Sequence, residues 1–204
     1  MWVQSKYASE LAVLSAWVSL LVPWSVAYNG DAELGSAIYF LRFPLFEFQI
    51  RRPVVFEDVD LNGELMFQYE DAGPILDQVY PGVELVSNLY LTSPVGSLQT
   101  YDGTMQTASV VWGVASIAFL LAFGLSVALY LREDTVVDAL PVSQVHLMGA
   151  LLGIGALGTA FAAILQYQAR DLGGIPIPVG VLVVAAFAVV LLRTEERPDD
   201  EESE

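Results

Sequence analysis

The chain has 204 residues, 55% of them apolar, and a formal charge of −16 from 24 acidic and 8 basic side chains. One soluble domain of this length cannot carry that apolar share on its surface, so it must be gathered into long continuous segments. The charge disfavours a nucleic-acid partner, since binding phosphates needs clustered Lys or Arg, and the absence of cysteine excludes disulfides, thiolate metal sites and cysteine nucleophiles.

Greasy segments beside acid-rich exposed parts predict a chain that works in concentrated salt. At about 1 M salt the Debye length is about 3 Å, so repulsion among the carboxylates is screened while they keep the surface hydrated. Seven of the eight bases are arginine, Lys6 being the exception.

In chain order, residues 1–8 read as a cytoplasmic N-terminus and 9–29 as the first membrane span, since crossing the hydrocarbon core takes about 20 mostly apolar residues. Trp2 and Tyr7 before this span and Trp24 and Tyr28 at its far end suit aromatic belts at the two interfaces. Pro23 is expected to kink the outer end of the helix. Lys6, the apolar stretch and Ser25-Val26-Ala27 also fit a signal peptide, an alternative opposed by Glu10 and by the length of the stretch.

Residues 30–106 hold 12 of the 24 acids together with many aromatic and β-branched residues, and they predict a small β-rich extracytoplasmic domain. Ile38 to Phe43 reads as one strand. Leu45 to Arg51 alternates, with Phe46, Phe48 and Ile50 on one face and Glu47, Gln49 and Arg51 on the other. Asn62-Gly63 between Val54 to Leu61 and Glu64 to Glu70 predicts a type I′ hairpin. Within it, Asp58, Asp60 and Asn62 with Gly63 match the first half of a calcium loop, oxygen ligands alternating before a bend. The second half fails, because Tyr69 stands where the closing Glu belongs. A hairpin turn bearing surface acids accounts for the same residues, and calcium is the sole cofactor they suggest.

The second span is placed at 107–131, a cytoplasmic loop at 132–143, and the third span at 144–167. An extracytoplasmic loop covers 168–174, and the fourth span is placed at 175–193, with Pro176 and Pro178 in its opening turns. Residues 194–204 read as a disordered acidic cytoplasmic tail. In the third span Gly149, Gly153, Ala156, Ala160 and Ala163 recur at spacings of four and three, a continuous small-residue seam on which helices can pack closely. Gly155, Gly158 and Ala162 widen it. The seam predicts a central place for this helix in a bundle, with a homodimer face as the alternative for Gly149 and Gly153.

Basic residues near the span ends set orientation. Lys6, Arg132, Arg193 and Arg197 fall on one side, against Arg170 and the more distant Arg42 on the other, so both termini are placed in the cytoplasm. The expected fold is a membrane all-α four-helix bundle with a small β-rich extracytoplasmic domain inserted between helices 1 and 2.

No catalytic constellation emerges. His146 is the sole histidine, and the expected spans hold no ionisable group near their middles of the kind ion transport uses. An enzyme would need a pocket uniting His146 with Glu133, Asp134 or Asp138. The expected partners are membrane lipid and a protein of the membrane or cell envelope.

The opening WVQSKYASELAVLSAWVSLLVPWSVAY, followed by FLRFPLFEFQ, resembles the start of uncharacterised small membrane proteins of halophilic archaea over about the first 50 residues. That resemblance implies no activity. A long β-rich loop after the first of four helices also resembles claudins, and PWSV is similar to their Pro-x-Trp segment. Their paired loop cysteines and Gly-Leu-Trp motif are absent here. The expectation is a non-enzymatic membrane protein presenting its outer domain to another envelope component, with a small transporter or channel subunit for a neutral solute as the alternative.

Overall fold

The computed structural model describes residues 3–5, 7–31, 36–52, 89–169 and 175–196. Among these, five helices accompany a four-stranded antiparallel sheet and a two-stranded pairing. The expected hairpin at Asn62-Gly63, the calcium ligands Asp58, Asp60 and Asn62, the 168–174 loop beyond Ala169 and the tail beyond Glu196 lie outside the described residues.

Strand β1 (Val3–Ser5) leads into α1 (Ala8–Leu21). The first expected span stops early. Pro23 has no N–H to continue the helical ladder and disfavours helical geometry in the residue before it, and Val22 is accordingly extended, with φ −89° and ψ 126°. The chain then runs straight into β2 (Ser25–Asp31), so residues expected at the helix end are strand. Strands β3 (Ser36–Arg42), β4 (Glu47–Arg52) and β5 (Leu89–Thr92) complete the sheet in the order β2-β3-β4-β5.

After β5, Ser93 caps the short α2 (Pro94–Thr100) by accepting from the Gly96 N–H at 3.1 Å. Gly103, at φ +60°, then turns the chain into α3 (Gly103–Ala139). The expected 132–143 loop is helical through Ala139, with one break at Arg132 (φ −149°, ψ 59°). What ends the helix is Pro141, which leaves Leu140 extended. Helix α4 covers Gln144–Ala169 and α5 covers Val179–Arg193. The start of α5 also differs from expectation: Pro176 and Pro178 bias Ile175 and Ile177 toward extended geometry, and Ile177 forms a β-bridge with Val26 instead of a helical turn. Strand β6 (Thr194–Glu196) pairs in parallel with β1, bringing the beginning of α1 and the end of α5 to one end of the molecule.

Two of these helices, Gly103–Arg132 within α3 and Gln144–Ala169, are long and apolar enough to cross a membrane; α1 and α5 are shorter apolar helices. Helix α4 packs against α3 on one side and α5 on the other, and α1 touches all three. The expected seam resolves into two. Gly149 lies against Leu191 and Leu192 of α5, where an added Cβ would stand 3.2 Å from the Leu192 backbone nitrogen, and Gly153 faces Ala188. Gly155 meets the Phe119 ring of α3 and Gly158 meets Ala115. Ala156 and Ala163 are buried and Ala160 is partly buried.

Candidate functional site

The sheet meets the helices at the turn between β3 and β4. Phe43 N–H donates to Phe46 O at 2.8 Å, closing the turn around Pro44, which is fully buried. A hairpin tip pushed between helices exposes carbonyls that must find donors. The indole N–H of Trp24 reaches Phe43 O at 3.1 Å, and that of Trp112 reaches Phe43 O at 3.2 Å and Pro44 O at 2.9 Å. The Ser116 hydroxyl also donates to Pro44 O. Both tryptophans are 1% exposed, so these bonds form away from water. Trp24, expected in an aromatic belt at the membrane surface, instead clamps the hairpin together with Trp112.

The alternation in β4 is present, but its inward face is the polar one. Ser25, Arg42, Glu47 and Thr92 stand side by side in register across the four strands, all buried, while Ile50 and Leu91 on the opposite face are exposed. The reason is an ion pair across the hairpin. Arg42 Nε bonds Glu47 Oε2, and the Arg42 guanidinium lies 4.9 Å over the Phe40 ring. Gln49 Nε2 donates to Glu47 Oε1 at 2.7 Å and to the Tyr101 hydroxyl at 3.2 Å. Desolvating a charged pair costs several kcal/mol per ion unless further hydrogen bonds satisfy it, and here Gln49 and the Phe40 face supply that support.

Burial pushes the Tyr101 phenol up to about 12 from its ordinary 10.0, with the Glu47 carboxylate adding to the rise. Both Glu47 oxygens accept hydrogen bonds, and Gln49 links the pair to Tyr101, the residue that follows α2. Ser25 Oγ and Arg42 Nη1 have no hydrogen-bond partner among the described residues.

Of the residues singled out from sequence, Gly149 and Gly153 sit against α5 and Ala156 in the main core, away from this junction, whereas Ala163 packs in one buried cluster with Trp24 and Trp112, with Ala160 against it. His146 lies in the first turn of α4, partly buried. A groove of about 390 Å³ runs nearby, lined by residues that include Glu10, Trp17, Tyr130 and Gln144. Arg42, Glu47, Gln49 and Tyr101 were not anticipated as a group. The one signal for them is Arg42 and Glu47 flanking a Pro-containing turn in FLRFPLFEFQ.

A family model matches residues 1–196. The chain belongs to DUF7549, a family of unknown function. A search among curated proteins finds no match. Family membership therefore brings no activity to the junction, and the match takes in helices and sheet alike.

Proposed function

We propose that this DUF7549 member is a non-enzymatic, multi-pass membrane protein that presents the 30–106 region outward for contact with another membrane or envelope component. The observation that carries this reading is the clamp of Trp24, Trp112 and Ser116 on the hairpin carbonyls. A domain merely tethered through flexible linkers would not need it. A clamped one holds a fixed pose relative to the helices, as a docking platform requires.

In this reading α1, α3, α4 and α5 are the four spans. The parallel pairing of β1 and β6 supports a common side for the two ends of the chain, and Lys6, Arg132, Arg193 and Arg197 support the cytoplasmic side. The acidic composition supports a salt-rich setting of the kind found with halophilic archaea. The neutral-solute alternative gains nothing from the hydroxyls that would line its path. Ser15, Ser19, Ser116, Ser126 and Thr159 each donate to a carbonyl of their own helix, and Phe119, Met148 and Leu152 are buried together between helices.

Affinity purification of the full chain from native membranes in high salt tests the proposal. Co-purification of a defined envelope or membrane protein, lost when the 30–106 region is shaved by protease from the outer side, supports it. Recovery of the chain alone in mild detergent counts against it.

A further inference from the structure

Helices α1 and α5 have 14 and 15 residues, so they extend only about 21 and 22 Å, against about 30 Å of hydrocarbon core. Both fall short by about 8 Å. The pairing of β1 with β6 aligns the start of α1 with the end of α5, so both deficits fall at the opposite end. There α1 is followed by Trp24 and β2, α5 is preceded by Ile175 to Pro178, and the two extensions meet in the bridge between Val26 and Ile177.

Helix α3 gives the depth. From Gly103 to Arg132 it has 30 residues, and counting back about 20 residues from Arg132, the length of one crossing, reaches Trp112. The hairpin tip is bonded to Trp112 and, one turn deeper, to Ser116. Gly113 packs against Pro94, just after β5. The lower rim of the sheet therefore lies at or below the level where hydrocarbon begins.

The sheet face turned away from the helices has the chemistry of that level. Its lower row pairs Val26, Leu41, Phe48 and Leu91 in register, and Ile177 continues it across the bridge. Leu91 is 59% and Ile177 58% exposed. Two residues higher, about 7 Å, the next row is Tyr28, Tyr39, Ile50 and Leu89, with the two tyrosine rings 5.1 Å apart. Acyl-like residues below and tyrosines above follow the order of a membrane interface. In a chain with 24 acids these two rows carry no charge, and the charged pair Arg42 and Glu47 faces inward.

We propose that the lower half of this sheet is embedded in the leaflet on its own side, with Val26, Leu41, Phe48, Leu91 and Ile177 against lipid acyl chains, completing the crossings that α1 and α5 leave unfinished. Non-helical backbone is tolerated at that depth only when its polar groups are satisfied. On the β2 side they are: β2 is laddered to β3, Val26 N–H donates to Ile177 O at 3.0 Å, and Ile177 N–H donates to Val26 O at 2.8 Å.

The inference rests on the membrane reading above, and its test separates the two. The chain has no cysteine, so Leu91→Cys, Ile177→Cys, Leu157→Cys and Thr100→Cys each give one labelling site for bimane in the full chain reconstituted into phosphatidylcholine vesicles. Leu157 is 74% exposed midway along α4, and Thr100 is exposed at the end of α2. Each sample is read with nitroxide lipids labelled near the headgroup end or near the terminal methyl, and with aqueous iodide. The labels at 91 and 177 are expected to lose most of their emission to the shallow nitroxide lipid and to resist iodide, 157 to respond to the deep one, and Thr100 to iodide. If 91 and 177 respond to iodide while 157 responds to lipid, the embedding is wrong and the membrane reading stands. Protection of 91 and 177 from both quenchers assigns the face to protein and also overturns the embedding. Iodide quenching at 157 without lipid quenching removes both claims.

Discussion

Gly180→Ala tests the seat of α5 directly. Gly180 lies in the first turn of α5 over the end of α1, and a Cβ built there stands 2.3 Å from Pro23 O, 2.8 Å from Pro23 C and 2.8 Å from Trp24 Cα. Comfortable carbon contacts are about 3.5–4.0 Å, so α5 or the Pro23–Trp24 backbone must retreat by about 1 Å. None of the three contacted atoms belongs to a flexible side chain that could swing aside. Overpacking of this kind costs about 1–3 kcal/mol, while replacing glycine by alanine in a helix returns at most about 1 kcal/mol and less in a first turn. The matched control is Gly153→Ala, whose Cβ would meet Ala188 Cβ at an ordinary 3.7 Å, and which is expected to be neutral or slightly stabilising. Both variants are measured by denaturant titration of the purified full chain in mild detergent, followed by the emission of its four tryptophans, Trp24 among them. If Gly180→Ala proves as stable as Gly153→Ala, α5 does not rest on Pro23 and Trp24, and the join between α1, β2 and α5 described above is wrong.

The ion pair predicts a strong coupling: Arg42→Met alone should cost about 3–5 kcal/mol by leaving Glu47 charged and buried, and Arg42→Met with Glu47→Leu should cost much less than the two single changes added, read as a double-mutant cycle in the same titration. Tyr101 predicts an alkaline limit. Its phenol ionises near 10 in the unfolded chain and near 12 in the fold, so stability from this group is full below pH 10 and falls as pH rises to 12, by about 2–3 kcal/mol; Tyr101→Phe should flatten that part of the stability curve. Trp112→Phe removes donors to Phe43 O and Pro44 O, but Trp24 and Ser116 still serve those carbonyls, so the loss should stay near about 1–2 kcal/mol, and combining it with Ser116→Ala, which orphans Pro44 O, should exceed the sum.

Spacing made some of this legible. The recurrence of Gly149 and Gly153 four residues apart, and of Gly155 and Gly158 three apart, marks faces of α4 because helical neighbours are set by local geometry. Gly180 carries no such mark: its contact is with the backbone at Pro23, remote in sequence. The alternation from Phe46 to Arg51 identified β4 for the same local reason, yet which face turns inward depends on Arg42 meeting Glu47 across the hairpin, a matter of register. From Val22 to Tyr28 the end of a span and the start of a strand look alike, because a short apolar run does not distinguish helix from strand. Pro23 was expected to bend the helix, but nothing holds residues beyond it in helical geometry, since β3 offers β2 a complete ladder. The expected loop at 132–143 is helical as far as Ala139 because the first residue there that forbids helix is Pro141.

The inward turn of the polar face also bears on the setting of the sheet. Were the far face in water, the hydrophobic effect at about 25 cal/mol per Å² would favour turning Phe48, Leu91 and Leu41 toward the helices and leaving Arg42 and Glu47 outside, where desolvation costs nothing. The observed arrangement reverses both preferences, and it recruits Gln49, Tyr101 and the Phe40 ring to make the reversal tolerable. An apolar medium against the outer face removes the conflict, because there the apolar rows lose nothing by facing outward and the charges are better off inside. On that reasoning the ion pair and the embedding of the sheet stand together. Restoring ordinary amphipathicity, with charged residues in the lower outer row at Leu41 and Leu91, should then lift the sheet out of the leaflet even where the inner cluster is left intact, as judged by iodide reaching a bimane label at Ile177→Cys while one at Leu157→Cys still responds to lipid.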